Sequence, residues 1–396
     1  MRVQVISGPS QVGAFPPPMP SSPPACWGDW SPEVVLGAGS SGGLRLPDAS
    51  PTDATLYAPR GVWLDDERLI ACDTGNHRLL LWHGWPGHDG APADVVLGQP
   101  DAVSEGPGSG GPRQGLHLPT GVLVDPEGRL VVADAWHHRI LVWDAIPTVT
   151  GTAPDRVIGQ PSLDDVEPNA GGDVDAGTLY WPFGIALIDG RFLVADTGNR
   201  RVLAWRDGLP LDGRPADVVL GQPDARSREE NRGGPIGPSS FRWPHALAGD
   251  GAGGLLVADA GNHRVLHWRA WPEDDLPADA AIGQPDLRSA SELPYRSQEG
   301  LLRFPYAIAS GPGLAIADTA NNRVLVWERP TPDGSPADQV LGQRDAASAG
   351  ENRWEAVTDD TLCWPYGLCR HGDRLAIADS GNNRVVVWRR AAAEGA

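Results

Sequence analysis

Residues 195–205 read ADTGNRRVLAW, and the chain repeats this phrase. It returns as CDTGNHRLLLW (72–82), ADAWHHRILVW (133–143), ADAGNHRVLHW (258–268), ADTANNRVLVW (317–327) and ADSGNNRVVVW (378–388). Its aspartate falls at Asp73, Asp134, Asp196, Asp259, Asp318 and Asp379, spaced 59 to 63 residues apart. Asp, Asn, His and Arg close together have the makings of an active site, but six copies in series are the signature of a repeat array. The phrase is therefore read as a structural joint.

Working outward from the third copy, WPFGIALI (181–188) closes on the turn pair DG and leads into RFLVAD (191–196). TGN links this run to RRVLAW (200–205), and a longer connection reaches DVVLGQ (217–222). Four short β-rich runs separated by Gly, Pro, Asn and Asp predict a four-stranded antiparallel unit. No segment sustains a helical apolar period. Radial repetition of such units predicts an all-β fold, a six-bladed β-propeller.

The joint has a mechanism. Asp196 ends the second strand and Arg201 begins the third, so a two-pronged charge-assisted bond is expected between them. Gly198 and Asn199 are the residue types that accept positive φ in a tight reversal. Trp82, Trp143, Trp205, Trp268, Trp327 and Trp388 end the third strands and are expected to pack between blades. Gln99, Gln160, Gln222, Gln284 and Gln343 follow the fourth strands and are expected to satisfy backbone groups there.

The sixth unit stops after its third strand. SPEVVLGAG (31–39) matches PADVVLGQP (92–100), so the beginning of the chain should complete the last blade, Val34–Leu36 pairing antiparallel with Val385–Val387. The chain thus divides into a Pro-rich arm (1–30), a single propeller (31–390) and a short tail (391–396).

Among the 396 residues there is no lysine; all 32 basic residues are Arg. Schiff-base chemistry and a phosphate-loop lysine are excluded. The net charge of −19, without a basic run, disfavours nucleic acid. No window approaches the ~18–20 apolar residues of a membrane span, and no stretch near the N-terminus resembles a signal-peptide core. A soluble cytoplasmic protein is expected, and the composition suggests a GC-rich bacterial genome. Cys72 and Cys369 read as small buried residues; Cys26 and Cys363 do not make a zinc site, and no disulfide framework is expected.

The stretches LPTGVLVDPEGRLVVADAWHHRIL and WPFGIALIDGRFLVADTGNRRVL resemble the NHL repeat family. The resemblance spans residues 31–390 and implies a six-bladed propeller. Trp in place of Phe after the third strand, long loops after GQPD, and the absence of a ligase or kinase module depart from the family pattern. NHL propellers are mostly recognition platforms, and bacterial ones sometimes accompany multi-subunit enzymes. The resemblance therefore implies a non-catalytic scaffold, monomeric outside a complex, that binds a protein partner through its long-loop face.

The alternative is small-molecule binding, or a lyase or hydrolase site, at the mouth of the central channel. Each first strand opens with Pro and a variable residue: Arg60, Thr120, Phe183, His245, Tyr306 and Tyr366. Propeller geometry would place these six around the mouth. Arg60 could hold an anion, His245 could act as acid or base, and the aromatic residues could wall a pocket. Zinc-dependent lyases of similar build use several Pro-His dipeptides, and this chain has the one at His245; no metal or other cofactor is expected. His77, His137, His138 and His263 are read as exposed turn residues. The Pro-rich stretch 13–25 is expected to be extended and is a second candidate for partner docking.

Overall fold

The computed structural model describes residues 28–39, 50–292, 300–329 and 336–391. Six four-stranded antiparallel sheets form six blades. The third shows the plan: Pro182–Ile188, Arg191–Asp196, Arg201–Trp205 and Val218–Leu220 pair in sequence order. The other blades have first strands at Gly61–Leu64, Pro119–Val124, Pro244–Gly249, Pro305–Ser310 and Pro365–His371. Among the described residues there is no α-helix, and no helix is long and apolar enough to cross a membrane.

Third strands such as RLLLW and RILVW are buried at every position. Side chains alternate across a strand, and both faces of a blade meet a neighbour, so the usual polar face is missing. Six apolar clusters result, one between each pair of adjacent blades. Each contains one of the six predicted Trp residues: Trp82, Trp268, Trp388, Trp143, Trp205 and Trp327. Cys72 lies in one such cluster, Cys363 is buried and Cys369 is half-buried.

The ring closes as its sequence predicts. Trp30–Gly37 is the outermost strand of the sixth blade. Val34 pairs with Val387, Val35 with Val386 and Leu36 with Val385, antiparallel. Asp29 and Glu33 add ion pairs to Arg390 and Arg374. Cys26, the Pro-rich stretch 13–25 and most of the tail (392–396) lie outside the described residues.

The joint differs from expectation in two ways. Each is a single 3-10 turn, Thr197–Asn199 in the third blade, and the left-handed residue is the one after it. Positive φ falls on His77, His138, Arg200, His263, Asn322 and Asn383, not on Gly198 or Asn199. The turn keeps right-handed geometry through Asn199, and the reversal is completed one residue later.

The Asp–Arg contact is also one-pronged. In all six blades Arg Nε meets Asp Oδ2 at 2.7–2.9 Å, with both side chains fully buried. The terminal nitrogens go elsewhere. Arg201 Nη1 donates to the Ala225 carbonyl, and Nη2 to those of Asp175 and Thr178. In the first five blades the arginine so grips both the loop entering its blade and the loop leaving it, and Arg384 holds the entering loop at Thr358 and Thr361. Asp196 also accepts from Asn199 and from the Tyr180 N–H. The repeated phrase is thus a spike that pins the long loops to the ring.

Candidate functional site: the long-loop face and the channel mouth

The first strands run inward from the joint end, since Pro182 pairs with Asp196 and Pro119 with Asp134. The residues after those prolines therefore lie where the channel opens onto the face that carries the joints and the long loops. All six candidate residues line one cavity on the axis, of about 90 Å³.

They touch in sequence around it. The Phe183 and His245 ring centres are 4.2 Å apart, His245 and Tyr306 4.4 Å, and Tyr306 and Tyr366 4.5 Å, stacked. The Arg60 guanidinium lies over the Tyr366 ring at 4.8 Å. Thr120 turns away and donates its hydroxyl to the Phe183 carbonyl at 2.8 Å.

Close approach of the first strands makes the ring tight. A Cβ on Gly184 would lie 2.0 Å from the His245 carbonyl oxygen. Backbone facing backbone has no flexible tip to move, so Gly184→Ala must spread two blades. It is expected to destabilise the protein by ~1–3 kcal/mol; a melting temperature equal to that of the unaltered chain would contradict this packing.

The cavity is small. Small-molecule sites usually offer about 300–1,000 Å³. Burial pushes His245 down to about 3, with Arg60 adding to the shift and the Trp243 carbonyl opposing it. Its Nδ1 lies 2.9 Å from that carbonyl, which can only accept, so the proton sits on Nδ1. A ring that resists protonation makes a weak base near neutrality. Burial also raises the Tyr306 hydroxyl. Among the described residues no group of three His, Cys, Asp or Glu side chains is arranged to hold a metal ion.

A second ring surrounds the first and escaped the sequence reading. It consists of the residues just before the six prolines: Ala58, Leu118, Trp181, Trp243, Phe304 and Trp364. All are partly or well exposed. Trp243 and Phe304 stack at 6.3 Å, and Trp181 sits 6.5 Å from His245 and 6.0 Å from Trp136. The dipeptides WP, WP, FP and WP at 181, 243, 304 and 364 were the available signal.

The exposed aromatic residues follow the same geography. Tyr57, Trp136, Trp354 (80% exposed) and Trp364 are the exposed aromatic side chains among the described residues, and all four stand on this face. The long loops beneath them are built rather than loose. Asn169, Asn231 and Asn352 take left-handed backbone in 3-10 turns of three loops. Each accepts at 2.8 Å from the joint asparagine of the next blade. The glutamines act as expected: Gln99 Nε2 donates to the carbonyls of Asn76, His77 and Gly106, tying joint to loop.

The histidines depart from expectation. His138 and His263 are buried, while His77 and His137 are half-buried. His137 takes the place of the joint asparagine, its Nδ1 2.9 Å from Asp134. The other three carry inter-blade contacts described below.

A family model of the NHL repeat matches residues 116–143, which span the first three strands of the second blade. No curated protein matches the chain. Several solved propellers align with most of it. The WD40 propeller domain of Doa1 shares 12% identity (TM-score 0.46; 87% of this chain and 98% of that one). A streptogramin B lyase shares 12% (0.46; 92% and 99%). The gluconolactonase XC5397 from Xanthomonas campestris shares 14% (0.48; 91% and 99%). At these identities and scores no activity passes from any of them to this chain.

Proposed function

We propose that this NHL-repeat propeller is a non-catalytic scaffold that binds a protein partner on its long-loop face, around the channel mouth. The observation that carries the reading is the placing of exposed aromatic residues. Tyr57, Trp136, Trp354 and Trp364 share one face with the half-exposed outer ring. Aromatic side chains are enriched where interfaces bind tightly. Here they stand on loops that buried arginines hold in place, so little ordering entropy remains to be lost on association. The resemblance to NHL proteins that accompany multi-subunit enzymes extends the proposal to a subunit of such an assembly as the partner.

The test compares affinity capture from the native host by the unaltered chain and by Trp136→Ala/Trp364→Ala. One stoichiometric protein is expected with the former. The double variant should keep its melting temperature and lose at least ~30-fold in affinity, about 2 kcal/mol. A stoichiometric small ligand whose stabilising effect disappears in Arg60→Ala would overturn the scaffold reading in favour of a channel-mouth site.

A further inference from the structure

At five of the six joints the left-handed residue that follows reaches across to the next blade. His77 Nδ1 accepts from the Leu118 N–H at 3.1 Å, His138 Nδ1 from Trp181 at 3.1 Å and His263 Nδ1 from Phe304 at 3.2 Å. Asn322 Oδ1 accepts from Trp364, and Asn383 Oδ1 from Ala58, both at 2.9 Å. The five donors are residues of the outer ring, and all five have positive φ, between 46° and 53°. A non-glycine residue in that region is strained; the staple offsets the strain.

The third joint shows the alternative. Arg200 occupies the staple position, has no acceptor atom and turns its guanidinium to the Gly198 carbonyl. Trp243, the residue it would have held, is absent from the positive-φ set. The neighbouring backbone bond is also shifted. The Ala260 N–H donates to the Trp243 carbonyl, whereas in the other blades the following joint residue donates to a carbonyl one position earlier, as Gly198 does to Tyr180. One molecule therefore displays the outer-ring residue in two arrangements, held and released.

We propose that His77, His138 and His263 are acid-sensitive staples, and that acidification releases Leu118, Trp181 and Phe304 into the arrangement of Trp243, reshaping the long-loop face while the Asn-held residues stay put. This rests on that face being the binding face. The chemistry is one of lone pairs: a neutral imidazole accepts at Nδ1 with its proton on Nε2, and an imidazolium has no acceptor left.

The surroundings keep all three neutral at pH 7. Burial leads in holding His77 and His138 down at about 4. His117, His137 and Asp134 face both, the two histidines lowering and the aspartate raising; the Tyr180 ring packs on His138. Burial likewise lowers His263, helped by Arg303 and Arg242 and opposed by Glu292 and Asp259; the Phe304 ring packs on it. The held arrangement binds fewer protons than the released one. Its advantage therefore shrinks by up to tenfold per pH unit per histidine, from the ordinary value of about 6.5 down to the depressed one.

The test is amide hydrogen exchange on the full chain, read as protection factors so that the intrinsic pH dependence cancels. Between pH 7 and pH 4, protection at Leu118, Trp181 and Phe304 should fall at least tenfold. Ala58 and Trp364 are controls in the same molecule and should hold. His138→Asn should keep Trp181 protected at pH 4, and Asn383→His should make Ala58 acid-sensitive. Equal loss at all five amides, or loss at none, overturns the proposal. Because no partner enters the measurement, the staples can stand where the binding reading fails.

Discussion

A chain lacking residues 1–37 is expected to lose its stable fold when compared with one lacking only residues 1–27. The difference between the two is the closing strand. Trp30, Val34, Val35 and Leu36 are each at most 3% exposed and fill the clusters on both sides of the sixth blade. At ~1.5–3 kcal/mol for each buried side chain, their loss amounts to roughly 6–12 kcal/mol, an upper estimate. Whole domains are stable by about 5–15 kcal/mol. The deletion also bares the edge of Arg384–Arg390, a template for aggregation. Circular dichroism melts and size-exclusion chromatography of the two truncations decide the matter, and a synthetic peptide of residues 28–39 should restore the shorter one. Melting temperatures within a few degrees of each other would refute closure by this strand.

Asp196→Ala should have the second-largest effect. It leaves the Arg201 guanidinium fully buried without its counter-charge, a change that costs about 3–5 kcal/mol in comparable pairs. It also removes the acceptor for Asn199 and for the Tyr180 N–H. Arg201 grips the loops on both sides of the blade, so the damage should spread to them. Limited proteolysis is expected to open new cuts in 159–181 and 221–243. The double variant Asp196→Ala/Arg201→Leu should be less destabilised than the sum of the single changes, because no charge is then orphaned. A urea midpoint for Asp196→Ala unchanged from the parent chain would show that the joint does not anchor the loops.

The repeat, the strand order and the closing register were all readable, because each follows from local runs or from matching one copy of the repeat against another. Runs such as RFLVAD and RRVLAW state their own strands, and spacing alone counts the blades. The six variable residues after proline were also legible, since one repeat position must occupy one place in each blade, and the structure puts all six on a common cavity. The outer ring was not, although WP and FP recur, because nothing local says that a residue before proline will stand half-exposed beside the mouth.

The histidines mark the boundary most sharply. HH at 137–138 and NH at 262–263 look like polar turn residues, which is what turn chemistry alone predicts. The burial of His138 and His263 goes with a backbone N–H about forty residues away that the next blade delivers. The arginine's two terminal nitrogens are a similar case, since their acceptors are carbonyls of the loops that fold back on either side of the blade.

By itself, then, the amino-acid order determined how many blades there are, what each is made of and how the circle is sealed, since those depend on short β-rich runs between turn residues and on matching one copy against another. Tertiary structure alone decided which polar groups answer one another across blade boundaries and which aromatic faces are left to solvent. A hydrogen bond or an exposed ring is a property of neighbours in space, and in a closed ring some of those neighbours belong to another repeat, as Trp181 does for His138.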